Sequence, residues 1–217
     1  MFLNQESTTY QGQFGDFTID KSDRVGVIIY RAGLVIAALS FAIAVNLVVS
    51  QGESALPLVT PLFVLFSLAL GVSLLTIHIY MVALHRVLQA FWLIGSISAI
   101  VIALKANQPL ALYVYNNPLT LLGIGFTFAA LTGIYFKEAF CFNRLETKVL
   151  TPIVPFLLLG HLSGLLPFGV EQVLLAIWTI GFTIFAGRKM VQDIDPDIGD
   201  KSVFDYLKQR KQASNEE

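Results

Sequence analysis

The sequence predicts an all-α, polytopic membrane protein with six transmembrane helices and both termini cytoplasmic. Three observations carry that prediction. The chain's 217 residues are 55% apolar and only 13% charged, with a mean hydropathy of +0.70. Ordinary soluble domains carry roughly 25% charged residues, and so few charges could not cover a soluble surface. Six runs poor in Asp, Glu, Lys and Arg approach the roughly 20 residues that a helix needs to cross a hydrocarbon core about 30 Å thick. Thirteen of the fourteen Lys and Arg then fall on one side of a six-span arrangement, and these residues gather in short cytoplasmic loops. Together the observations exclude a soluble enzyme, a nucleic-acid binder and a disordered chain. The partner that the composition names is the lipid bilayer. A single cysteine, Cys141, excludes an intramolecular disulfide and a Cys-rich metal site.

Residues 1–24 read as an N-terminal cytoplasmic tail. They hold no short apolar region or small-residue cleavage site, so the first helix is itself the expected insertion signal. Tyr10–Asp20 keeps Phe14, Phe17 and Ile19, an ordered lead-in placed to rest on the bilayer or dock under the helices. Ser22 sits at the N-cap position before the first apolar run. The membrane domain, 25–187, contains the spans Val25–Val49, Pro61–Leu84, Val87–Leu104, Leu119–Phe136, Val149–Leu166 and Val170–Gly187. One unbroken helix over the second and third would overshoot the bilayer, so His85-Arg86 is the expected turn. Pro57, Pro61, Pro118, Pro152 and Pro155 are expected near helix starts, where a missing amide costs little. Tyr113 and Tyr115 fall where an aromatic belt belongs.

Residues 188–217 form the expected C-terminal cytoplasmic tail. Asp193–Asp200, DIDPDIGD, superficially resembles a calcium loop. Counted as an EF-hand, however, its sixth and twelfth positions are Ile198 and Phe204, where Gly and Glu are needed. It reads as an acidic linker. Beyond it, Ser202 and Asp205 fit a capping box, and Val203, Phe204 and Leu207 share a helical face. Lys208, Arg210 and Lys211 then occupy the last turn of a short amphipathic helix over Ser202–Gln212, lying on the membrane or against the bundle.

Polar residues inside a membrane are costly and therefore candidates for function. Three stand out: Arg31 in the first span, His78 in the second and His161 in the fifth. At 1.5 Å per residue, His78 lies about 12 Å from the turn at Arg86 and His161 about 20 Å from Lys148, an offset unfavourable for sharing one haem iron. His85, at the interface itself, is worse placed. A single-histidine pigment or haem site stays open beside the plainer reading of a packing histidine, and no cofactor or metal is assigned. Arg31 has no carboxylate within any helix interior, so it either snorkels to the headgroups or pairs with Glu138. The second option makes Arg31, His78 and Glu138 a polar cluster on the cytoplasmic side. No HExxH, intramembrane Asp pair, G-x-S-x-G elbow or Walker-type loop is present, and no catalytic residue is assigned. Gly160 and Gly164 have GxxxG spacing and read as a helix-packing seam. The pairs Gly33/Ala37, Ala38/Ala42 and Gly95/Ala99 read the same way, with no firm indication of a homo-oligomer.

Three stretches carry a resemblance: Phe14–Ala44 (FGDFTIDKSDRVGVIIYRAGLVIAALSFAIA), Phe142–Leu166 (FNRLETKVLTPIVPFLLLGHLSGLL) and Ile198–Lys208 (IGDKSVFDYLK). In these, and in the spacing of its spans, the chain resembles the DUF2301 family of uncharacterised integral membrane proteins, found mostly in cyanobacteria and plastids. The resemblance implies a thylakoid or plasma membrane of a cyanobacterium, or a plastid membrane. It supplies no reaction, cofactor or site residue.

The resulting expectation is a non-enzymatic membrane protein that assists assembly, maintenance or scaffolding of a photosynthetic membrane complex through its cytoplasmic face. The alternative is a small-solute channel or transporter with Arg31, His78 and His161 along its path. A packed, dry core would argue against that alternative.

Overall fold

The computed structural model describes residues 7–216. Among them nine α-helices follow an N-terminal β-hairpin. The hairpin pairs β1 (Thr8–Gly12) with β2 (Gly15–Ile19) across Gln13-Phe14, with Gly12 opposite Gly15. Its period-2 alternation turns Tyr10, Phe17 and Ile19 inward, where Ile19 packs on Val27 and Ile198. The lead-in is thus a hairpin docked under the helices.

Helix α1 spans Lys21–Gln51, four residues longer at its start than the apolar run suggests. Its N-cap is Asp20, not Ser22. Asp20 leaves β2 in extended conformation, accepts from the Asp23 amide at 3.0 Å and donates its own amide to the Asp23 carboxylate at 3.0 Å. Both orphan donors are thereby satisfied, so the polar turn Lys21–Arg24 is helical. A single 3-10 turn, Gly52–Ala55, leads into α2 (Leu56–Thr76), which packs back along α1. Gly33 makes that approach possible, because a Cβ there would strike the Ser73 hydroxyl and lie 2.7 Å from the Ala69 carbonyl.

Helix α2 stops at Thr76 and α3 covers Val82–Lys105, so the turn lies at Ile77–Met81, ahead of His85-Arg86. The physical reason is a side-chain cap. His85 Nε2 lies 2.6 Å from the Leu74 carbonyl and Gln89 Nε2 donates to it at 3.2 Å. A carbonyl otherwise left open at the end of α2 is covered by residues of the next helix.

After α4 (Leu110–Asn116) and a 3-10 turn at Pro118–Thr120 come α5 (Leu121–Phe142), α6 (Leu145–Leu162) and α7 (Phe168–Val191). Asn143 ends α5 in the left-handed region, φ 53°. Pro152 and Pro155 lie inside α6, not at its start, and leave the Lys148 and Thr151 carbonyls without amide partners. Gly164 falls beyond the end of α6. Its φ is +68°, with Leu165 N bonded to Gly160 O at 3.1 Å and Gly164 N to His161 O at 3.0 Å. That is a Schellman cap, so Gly160 and Gly164 terminate a helix and form no GxxxG packing seam. Gly95, by contrast, is a true close approach, against Thr127 of α5.

The chain ends in α8 (Asp195–Ile198) and α9 (Ser202–Glu216). Helix α9 outlasts Gln212, so Lys208 and Arg210 do not occupy its last turn. Asp205, half of the expected capping box, lies outside the described side chains. Ser202 instead donates to Asp200 at 2.6 Å and accepts from the Phe14 amide at 3.1 Å.

Among the described residues, five segments are long and apolar enough to span a membrane: Lys21–Thr76, Val82–Lys105, Pro118–Phe142, Leu145–Leu162 and Phe168–Val191. The first contains both α1 and α2. Leu68, Ile97, Phe156 and Ile180 are largely exposed on the outer faces of these helices, as expected where lipid is the solvent. The interior is filled by Phe66, Leu70, Leu131, Tyr135, Trp178 and Phe182. The bundle has two ends. The tail end gathers the hairpin, Ile77–Met81, the α5–α6 turn and Gln192–Ser202, whereas the distal end carries the α1–α2, α3–α5 and α6–α7 connections.

Candidate functional site

The most unusual chemistry in the bundle is a buried charge network at the tail end. Arg31 reaches it from α1, because it shares the buried helical face of Val27 and Leu34, one turn from each, and so points into the core. Its Nε and Nη2 donate to Asp197 Oδ2 at 2.9 and 2.7 Å. Nη1 donates to the Gln192 carbonyl at 2.5 Å, and Nη2 also to the Asp193 carbonyl at 2.7 Å. The guanidinium therefore clamps the turn after α7 by both backbone and side chain. Arginine's planar fork suits this task where an ammonium would not.

Lys189, which shares the last turn of α7 with Arg188, is fully buried. It bridges Glu138 at 2.7 Å and the second oxygen of Asp197, and lies 4.2 Å from the Phe142 ring centroid. Glu138 is also fully buried and accepts from Lys137 at 2.9 Å and from the Tyr30 hydroxyl at 3.1 Å. Three cations thus meet two carboxylates across α1, α5, α7 and α8. Burying such charges is tolerable only with this mutual pairing. Burial alone would raise the Asp197 carboxyl, but Lys189, Lys137 and Arg31 outweigh it and hold the group below the usual carboxylate range.

An outer ring of contacts fastens the hairpin to the same tail. Arg24 pairs with Asp195 at 2.5 Å, and the Tyr10 hydroxyl donates to Asp195 at 2.7 Å. Lys201 bridges Asp23 at 2.8 Å and donates to the Thr18 carbonyl at 3.0 Å. The Gln13 amide donates to Asp200 at 2.7 Å and, with Ser202, holds its carboxyl below the usual range. Tyr80 accepts from the Asp200 amide, and its ring lies where a Cβ on Gly199 would fall. Phe14 stacks on Tyr206 with centroids 4.1 Å apart. The acidic stretch is therefore a folded strap that supplies the missing counter-ions, not a linker.

The candidates read from sequence separate accordingly. Arg31 and Glu138 belong to one network but do not pair, because Asp197 takes Arg31 and Lys189 takes Glu138. His78 lies outside it in the α2–α3 connection, 4.0 Å from Asp23, and its burial pushes the imidazole pKa down despite that carboxylate. His161 is at the distal end, its Nδ1 2.7 Å from Glu171 and its Nε2 3.1 Å from the Tyr115 carbonyl. Two histidines at opposite ends share no haem iron, and His161 has no ring nitrogen left for a metal. Among the described residues, no group of three or more His, Cys, Asp or Glu is placed to hold a metal ion.

Asp197, Lys189, Lys137 and Tyr30 escape sequence reading. Only Asp197 leaves a signal, and it is charge: an intramembrane arginine needs an anion, and the four Asp of 193–200 are unassigned.

The apolar exterior, the long helices and the buried ionic closure define a multi-pass integral membrane protein whose two tails fold together at one end. The chain belongs to the family of uncharacterised integral membrane proteins DUF2301, whose sequence model matches residues 72–206. That stretch contains Glu138, Lys189 and Asp197 and begins after Arg31. No curated protein and no solved structure matches the chain.

Proposed function

We propose that this is a non-enzymatic membrane protein crossing the bilayer six times with both termini cytoplasmic, and that it serves as an assembly, maintenance or scaffold factor for a membrane complex. The observation that carries this reading is the folded tail platform. The strap is bolted to the bundle by the Arg31–Asp197–Lys189–Glu138 network, the outer ring of contacts fastens the hairpin and α9 to it, and the polar residues of both tails are presented together. A rigid polar surface on one side of a membrane suits docking of a partner, and the positive-inside tendency assigns that side to the cytoplasm. The six crossings follow if α1 and α2 each span. A core closed by Phe66, Trp178 and Phe182 supports this reading over a solute path past Arg31 and His78. The resemblance noted above extends the proposal to a photosynthetic complex in a thylakoid, plasma or plastid membrane.

Deleting Asp200–Glu217 removes α9 while keeping Asp197, and should cut recovery of a partner complex with the tagged protein several-fold. Unchanged recovery would refute the reading. Orientation is tested separately by Cys141, which is exposed at the tail end of α5. A membrane-impermeant maleimide should label it only in permeabilised cells.

A further inference from the structure

Between α5 and α6, toward the distal end, an apolar groove of about 310 Å³ opens on the outer surface of the bundle. Its origin lies in side-chain size. Gly125 and Ala129 present almost nothing on the α5 side, and a Cβ on Gly125 would meet only Leu121 of its own helix, at 3.9 Å. At Gly95, Gly133 and Gly181 a side chain from a neighbouring helix occupies the corresponding space. Pro155 forms part of the facing wall, and the exposed Leu122 and Leu159 lie along the rims. The groove is therefore continuous with the lipid-facing surface.

We propose that this groove binds one acyl chain of a membrane lipid from the leaflet at the distal end. Length, access and polarity each favour that occupant. From Leu121 to Thr132 the groove runs about 16 Å along α5, and from Leu162 to Val154 about 12 Å along α6. Both are close to half of a hydrocarbon core about 30 Å thick, the depth of one leaflet. The groove opens along its length to the lipid face between the exposed Leu122 and Leu159, so an acyl chain reaches it without leaving its leaflet. The one hydroxyl in the lining, Thr132, already donates to the Phe128 carbonyl at 2.8 Å, so the groove asks no hydrogen bond of its occupant. Water gains nothing there, and an empty recess would forfeit dispersion contacts along its whole lining.

The test compares the full-length wild type with Gly125→Leu/Ala129→Leu in phosphatidylcholine bilayers doped with an acyl-chain spin-labelled phosphatidylcholine. Electron paramagnetic resonance should show a motionally restricted lipid component in both proteins, smaller in the variant by the one lipid per chain that the groove holds, with the thermal midpoint maintained. An equal restricted fraction in both would overturn the proposal. So would a wild-type dimer that the variant converts to monomer, because a second chain would then fill the groove. Native mass spectrometry of the wild type alone keeps the proposal falsifiable if the variant does not fold. It should show one phospholipid retained per chain, and a bare protein would count against the site.

Discussion

Arg31 and Asp197 are 166 residues apart in sequence and meet at 2.7 Å, with side chains only 7% and 2% exposed. The pair joins the first long helix to the last turn before α9, so the C-terminal strap is part of the bundle's closure. Lys189 extends it to Glu138, making one continuous network from α1 to α5.

Breaking one member of a buried ion pair leaves an uncompensated charge and costs about 3–5 kcal/mol. Asp197→Ala should lower stability in detergent by that order and expose the tail to protease. In double-mutant cycles Arg31→Leu should couple strongly to Asp197→Leu. Its coupling to Glu138→Gln should be weaker, because Lys189 and Asp197 intervene. Equal coupling in both cycles would mean that the partners are shared differently. Thermal melts of the single and double variants read this directly.

Acid should release the strap only at low pH. Asp197 and Asp200 are both held below their usual range. A carboxyl lowered on folding contributes stability fully above its unfolded value of about 3.9, and loses it as pH falls through the folded value. Hydrogen exchange of the hairpin amides should therefore stay protected at neutral and mildly acidic pH and open below about pH 4. His78, whose pKa is lowered by burial, would instead weaken the fold as pH drops below about 6.5. Opening in that higher window would assign control to His78.

Gly164 is a backbone device. An L-residue forced into the left-handed region costs about 1–2 kcal/mol, so Gly164→Ala should destabilise the protein by about that amount. Size-exclusion chromatography with light scattering should show an unchanged oligomeric state. A change of state without a loss of stability would restore the packing-seam reading.

Sequence was a good guide to the existence of the helices and a poor one to their ends. The apolar runs locate α7 within four residues at each end, but miss the start of α3 by five residues and the end of α5 by six. The α2–α3 break was misplaced because its cause is a pair of side chains, His85 and Gln89, covering a carbonyl eleven and fifteen residues away. No local breaker marks it. Arg31 was legible as a buried cation needing an anion, yet four aspartates were on offer and nothing local says that Asp197 enters.

By itself the sequence determined that the chain belongs in a bilayer, because so many apolar residues with so few charges leave no soluble alternative. It also determined that the charges gather mostly in the tails and turns, away from the long apolar runs. Only the tertiary structure decided which charges meet. Hydrophobicity acts residue by residue and sums along the chain. An ion pair depends on the mutual placement of α1, α7 and α8, which exists only once the helices have packed.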